Sequence, residues 1–304
     1  MGLQGVSCEK GRVTREECLQ CVRDPQHPCH IPQPMIVKFW HGLATKPHAG
    51  AATPSRVLSC ARKPFLMEQE DYWLDIHNEY ASMRGEVIHA GLESFSWGDN
   101  CVVLTEKRLQ TLVDTKYGTQ PFTAQSDAIV VVNPNDSGDK VLVDVWDWKT
   151  TEFGHELVAA DRKHIMQAWM YAWMVARNLP MMENITHQRG VQVRSVNICY
   201  ISSSKSRIFT SLGPGTARGK RITGTKPQQY EELQLAQLPT LTMQQVEQFV
   251  RGRLEQRVEQ RRALPVLPPV LEGDAAKWCF RCPVVGACMA RRAAEANAGE
   301  EDAA

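Results

Sequence analysis

The chain has 304 residues, 43% of them hydrophobic and 23% charged, with a formal net charge of +1. Such a length can bury a full core, in one large or two modest domains, and the composition is that of an ordinary globular protein. The near-neutral balance excludes a uniformly basic nucleic-acid binder, so any nucleic-acid surface must be local. No apolar run approaches the roughly 20 residues of a membrane helix, and the N-terminus lacks a secretory h-region, so a cytoplasmic protein without a membrane partner is expected.

In chain order, residues 1–33 come first, short of apolar side chains and rich in cysteine: Cys8, Cys18, Cys21 and Cys29, with His27 and His30 nearby. Such a segment cannot bury a core unaided, so a metal is the natural staple, and four thiolates with one CxxC suffice for tetrahedral zinc. The expectation is a zinc knuckle over 1–33, docking a partner or DNA or else simply covering a neighbouring surface, then a linker over 34–53. Thr53-Pro54 reads as an N-cap and first helical position, opening a helix that carries Arg56, Cys60 and Arg62. A second helix is expected from about Glu70 to Phe95, with His89 inside it.

Three strands are predicted next, over Cys101–Leu112, Ala124–Val132 and Lys140–Thr150; the last two flank the turn-rich run 133–139, typical of a hairpin. A helix from about Val158 to Arg177 puts Gln167 and Tyr171, four apart, on one face. Val191–Ile201 reads as a further strand. Lys205, Arg207, Arg218, Lys220, Arg221 and Lys226 then form an acid-free basic run among glycines, a flexible loop that either tracks DNA phosphates or is merely solvated. A helix over 242–262 carries Val246, Val250, Leu254 and Val258 as a narrow apolar stripe, and residues 293–304 read as a flexible tail. Cys101 and Cys199 stand alone in apolar strands and read as core residues.

Val-Asp-Val-Trp-Asp-Trp-Lys-Thr, from Val143 to Thr150, is the most informative stretch. Strand alternation puts Asp147 and Lys149 on one face, directly after Val141, Val143 and Val145. A carboxylate and an ammonium ending a buried valine row are costly unless they bind a metal and an anionic substrate. The hairpin can bring Asp127 beside Asp147, where mutual repulsion favours a hard divalent cation. Lys149 would orient or activate the attacking water and help neutralise a scissile phosphate. His89 could add a nitrogen ligand and Trp148 its backbone carbonyl. Taken singly, each has a plainer reading: Asp-x-Lys is common at solvated strand ends, a lone His89 usually satisfies its own helix, and Gln167 with Tyr171 can cap a core edge. Four elements in order favour a site.

Gly85-x3-His89, Asp127, Asp147-Trp148-Lys149 and Gln167-x3-Tyr171, in this order and at these separations, resemble the PD-(D/E)xK nuclease superfamily, and within it the RecB-type branch, over roughly residues 54–290. The resemblance implies an α/β fold, a small mixed central β-sheet flanked by helices with a restriction-endonuclease-like core, over 54–240 and completed by 241–292. It implies Mg²⁺ or Mn²⁺ bound by His89, Asp127 and Asp147, catalysis by Lys149, orientation of substrate or lysine by Gln167 and Tyr171, and a supporting acid at Glu106. Ser126 departs from the small or glycine residue that many members have before the aspartate.

Cys279-x2-Cys282-x5-Cys288 supplies three thiolates, and Cys60 is the obvious fourth. Zinc on the same four thiolates, or on three with Cys60 free, would also satisfy the chemistry. The one-plus-three arrangement resembles the iron–sulfur nucleases of the same branch, including the CRISPR adaptation exonucleases. That resemblance implies a [4Fe–4S] cluster joining the N- and C-terminal parts of the domain, a structural role that closes a loop of roughly 200 residues.

By resemblance the activity is metal-dependent hydrolysis of DNA: a single-stranded DNA exonuclease that also nicks or trims overhangs, in recombination, repair or processing of DNA ends. A second reading is trimming of pre-spacer ends in CRISPR adaptation. A third, of another class, is a non-catalytic iron–sulfur DNA-binding scaffold, against which the intact Asp127, Asp147 and Lys149 argue. The sequence carries no Gly-x4-Gly-Lys-Ser/Thr, so unwinding would fall to a helicase partner; an integrase or recombination protein is the other expected companion.

Overall fold

The computed structural model describes residues 2–24, 29, 31–45, 51–60, 62–93, 101–132, 139–151, 160–178, 190–201, 206–212, 236–237, 240–262, 279 and 282–301. The chain divides into two units, one of Met1–Ala49, Ser59–Glu86 and Glu259–Ala304, the other of Gly50–Leu58 and Val87–Val258. Both combine helices with small β-sheets.

In the first unit, β1 (Leu3–Cys8) lies between β2 (Gly11–Val13), antiparallel, and β3 (Tyr72–Asp75), parallel. Gly5 is required there: a Cβ would stand 2.1 Å from the Val13 carbonyl oxygen. Helix α1 (Arg15–Cys21) starts with a reciprocal capping box, in which Thr14 and Glu17 satisfy each other's backbone amides. Helix α2 (Gln33–Thr45) follows. Its Ile36, Phe39 and Trp40 are buried with Val6, Cys18, Val22, Ile31, Ile76 and Met83 in one apolar cluster.

Two expectations change here. Residues 34–53 are not all linker, because Ile36, Phe39, Trp40 and Leu43 recur at helical spacing and supply the apolar face that 1–33 lacks. Residues 1–33 are therefore not a module without a core.

The expected helix beginning at Thr53 is also broken. Thr53 caps α3 (Pro54–Val57) through Arg56 N–H, but the chain leaves the helix at Leu58, passes Cys60, and enters α4 (Arg62–Gln69). The helix expected from Glu70 starts instead as β3, and α5 (Ile76–Glu93) begins only after Asp75 has accepted the His77 and Asn78 amides.

The other unit is built on a six-stranded sheet in the order β4-β5-β6-β7-β8-β9. Its strands are β4 (Cys101–Thr115), β5 (Gly118–Val132), β6 (Lys140–Thr150), β7 (Gly190–Ile201), β8 (Ser206–Leu212) and β9 (Ala236–Gln237). The pairs β6–β7 and β8–β9 are parallel and the rest antiparallel, so the sheet is mixed. The β6–β7 crossover carries α6 (Arg162–Asn178), as a parallel pair requires. Ala168 through Val175 are buried all round the helix, against β4, β5, β6 and β7. Helix α7 (Met243–Arg262) opens on a Thr242/Gln245 capping box and sinks Val246, Val250 and Leu254 into the same core.

Helix α8 (Val285–Glu301) belongs to the first unit and runs through most of the span expected to be a flexible tail; Arg291 bonds Gln69 and Glu70 of α4. Among the described residues, no helix is long and apolar enough to cross a membrane.

Candidate functional site

Register sets the site. On β6, Val141, Val143 and Val145 point into the core packed by α6, so Asp147 and Lys149 continue that same face. On β5, Ile129 and Val131 do likewise, so Asp127 continues theirs. Ala128 pairs with Trp146 across the two strands, and one step further brings Asp127 opposite Asp147. Both carboxylates are buried, at 8% and 1% exposure.

Each oxygen then has a different fate. Asp127 Oδ2 accepts the Trp148 backbone N–H, and Oδ1 lies 3.4 Å from His89 Nδ1 of α5. The His89 ring meets Trp148 edge-on, with centroids 5.9 Å apart. Asp147 Oδ1 accepts Lys149 Nζ at 2.7 Å, whereas Oδ2 is buried with no hydrogen-bond partner among the described residues. An unsatisfied buried carboxylate oxygen costs on the order of 1–3 kcal/mol, more when charged, so an orphan of this kind marks a position a cation would relieve.

Glu106 completes the cluster. Thr105 pairs with Ala128 and Lys107 with Ser126, which leaves Glu106 opposite Asp127. It adopts φ 49°, the one positive φ of a non-glycine residue among the described residues. That strain, about 1–3 kcal/mol, is of the sort that gathers at functional sites. Its carboxylate accepts Gln125 Nε2. Ligand atoms of His89, Glu106 and Asp127 all lie within 4.8 Å of one another, a geometry able to hold a metal ion. Burial, and then the charge of Asp147, pushes the Asp127 carboxyl up to about 8. A hard cation would remove that penalty.

Gln167 Nε2 donates to Tyr171 Oη at 2.6 Å, so the two α6 residues act as one polar unit. Burial, then the Asp147 charge, holds the Tyr171 phenol well above its ordinary value. His164 went unnoticed in the sequence. It sits one turn before Gln167, with Nδ1 2.8 Å from Tyr200 Oη, and Tyr200 is the strand partner of Lys149. Burial, then the Lys149 charge, draws His164 down to about 4. The available signal was the i, i+3, i+7 face of His164, Gln167 and Tyr171.

Two sets of cysteines gather in the first unit. Cys282 and Cys288 pack beside Leu66 and Val284, and Cys60 and Cys279 lie close enough to Cys282 for their charges to oppose its ionisation. Burial is the larger influence raising that thiol. Cys8, Cys18, Cys21 and Cys29 line a cavity of about 510 Å³. All eight are free thiols. Burial raises Cys18 and Cys29, and the other cysteines of the set add to it. Cys199 is buried as expected.

His27, His30, Lys205, Arg218, Lys220, Arg221 and Lys226 lie outside the described residues, as does the side chain of Arg207 on β8.

No family model and no curated protein matches the chain. Among solved structures it is similar to one described as the crystal structure of SSO0001, at 14% identity over 82% of this chain and 91% of that one, with a TM-score of 0.47. A likeness of that size carries no argument about function.

Proposed function

We propose that the chain is a Mg²⁺- or Mn²⁺-dependent deoxyribonuclease with a restriction-endonuclease-like core of the RecB type, acting as a single-stranded DNA exonuclease that also trims overhangs. One observation carries this reading: the ligand atoms of Asp127, His89 and Glu106 lie within 4.8 Å of one another, and on the adjoining strand the buried Asp147 has one oxygen unpartnered among the described residues, with Lys149 two residues on. His89, Glu106, Asp127 and Asp147 fit a hard divalent cation in donor type, and that ion would supply Lewis-acid polarisation of a phosphate and an acidified water.

The chain's own groups do the rest. Asp147 holds the Lys149 ammonium at the strand end, where it can face the scissile phosphate and offset its developing charge. Tyr171 is buried close enough to Asp147 and Asp127 for their charges to act on its phenol, and Gln167 holds it by a hydrogen bond. His164, neutral near pH 7, anchors Tyr200 beside Lys149 without adding a competing cation. Cys60, Cys279, Cys282 and Cys288 fit a [4Fe–4S] cluster as a structural staple, with iron content as its check.

Degradation of end-labelled single-stranded DNA with Mn²⁺ tests the proposal. Wild type should shorten the strand, while Asp147→Ala and Lys149→Ala should not. Equal activity in all three would mean that the hydrolysis belongs to another site or another protein.

A further inference from the structure

The proposed nuclease leaves the N-terminal cysteines without a role, and their surroundings are specific. Cys8 ends β1 opposite Gly11 at a tight hairpin, where Gly11 adopts φ +92°. Cys18 and Cys21 are one turn apart on α1, so their side chains share a face. Cys29 lies just before α2 and packs against the first unit's apolar cluster. Three separate pieces of chain thus deliver four thiols to the wall of one cavity, together with Lys10 and Arg12.

A second observation concerns a side chain buried beside them. The indole nitrogen of Trp40, itself only 4% exposed, is buried without a hydrogen-bond partner among the described residues. Trp40 and Cys18 are buried in the same apolar cluster. A neutral thiol is a weak acceptor; a metal-bound thiolate is a strong one.

We propose that Cys8, Cys18, Cys21 and Cys29 bind one Zn²⁺ as a tetrathiolate, and that the Trp40 indole N–H donates to the Cys18 sulfur of that site. Four thiols lose their protons to solvent as four Zn–S bonds form, and the cavity wall presents Lys10 and Arg12 as well as Glu17 to the doubly negative site. No three of the four sulfurs lie within 4.8 Å of one another. Tetrahedral zinc holds sulfurs about 3.8 Å apart, with Zn–S near 2.3 Å, so binding rotates the thiols inward. The ion then ties the β1–β2 hairpin, α1 and the start of α2 together. Four thiolates with one CxxC are a structural zinc donor set, and the iron content of the cysteine variants separates zinc from an iron–sulfur cluster.

The test is metal analysis of the full-length protein purified under reducing conditions, followed by Co²⁺ substitution. Wild type should hold one zinc per chain, and its Co²⁺ form should show the spectrum of a tetrahedral tetrathiolate. Cys21→Ser and Cys29→Ser should lose that zinc while keeping the wild-type iron content, whereas Asp147→Ala and Cys282→Ser should keep it. Trp40→Phe should keep zinc but release it to a chelator about tenfold more readily, as loss of an outer hydrogen bond does. Should the cysteine variants fail to fold, zinc-edge X-ray absorption of wild type decides: four sulfurs at about 2.3 Å are expected. Nitrogen or oxygen ligands, no zinc in wild type after reconstitution, or zinc retained by Cys21→Ser and Cys29→Ser would overturn the proposal.

Discussion

Strand β6 carries a buried aspartate on each of its faces, and the two are treated differently. Asp144 faces Arg194 and Ser195, which an extra β7 residue in the register opposite Val143/Asp144 brings within reach together. Arg194 binds both of its oxygens, Ser195 Oγ donates at 2.6 Å, and Asn197 braces Ser195 at 2.8 Å. Asp147, three residues on and deeper, has Lys149 on one oxygen and nothing on the other. Asp127 stands across from it, and Glu106 stands beyond Asp127. A satisfied buried carboxylate holds a sheet together; a half-satisfied one among other carboxylates is stable only when something positive joins it. Burial alone would have scored the two as equals.

Predictions follow from that contrast, and the largest concerns turnover. Asp147→Ala should lower DNA cleavage by about three orders of magnitude, the scale of several kcal/mol of charge stabilisation, while leaving the fold intact. Asp144→Ala should leave cleavage per folded molecule unchanged. If the two variants exchange these behaviours, the satisfied aspartate is the functional one. Lys149→Ala should cost about 10²- to 10³-fold in kcat with little change in KM, as removal of one preorganised donor does. Lys149→Arg should not restore it, because a planar fork does not replace a point charge.

Stability should show the reverse ordering. Asp144→Ala should cost about 1–3 kcal/mol in urea unfolding, below the 3–5 of a fully buried pair because Arg194 reaches solvent. Asp147→Asn, by contrast, should unfold at the same urea concentration as wild type or higher when divalent cations are chelated, since it removes repulsion with Asp127.

A pH slope completes the comparison. The Asp127 carboxyl moves from an ordinary 3.8 up to about 8 in the folded chain. Below the ordinary value both states are protonated and the stabilising contribution is complete. Between the two values the unfolded chain binds fewer protons, so stability falls as pH rises. Thermal unfolding in chelator should therefore drop from about pH 4 to about pH 8 by more in wild type than in Asp127→Asn. Added Mn²⁺ should cancel the difference; an unchanged difference would mean that no cation enters the cluster.

Much of the site was legible because strand periodicity is strict. Alternation alone puts Asp147 and Lys149 behind Val141, Val143 and Val145, and a hairpin with a given register fixes where Asp127 must lie. Helical spacing likewise ties Gln167 to Tyr171. What alternation cannot express is a break in it. The positive φ of Glu106 and the extra β7 residue opposite Asp144 depend on tertiary packing. His164 escaped because its partner, Tyr200, is 36 residues away on a strand whose register only the fold supplies. The helix at Gln33–Thr45 differs again: Ile36, Phe39, Trp40 and Leu43 carry a helical period, but their partners Val6, Cys18 and Val22 are set by tertiary packing and not by local spacing.

Crystals grown with Mn²⁺, with data collected for its anomalous signal, test the central claim most directly. A peak should appear between Asp127 and Asp147, within bonding reach of the unpartnered Asp147 oxygen and of His89. It should vanish in Asp147→Asn. Absence of that peak in wild type, with Asp147 Oδ2 hydrogen-bonded to protein or water instead, would contradict the metal site and the nuclease built on it.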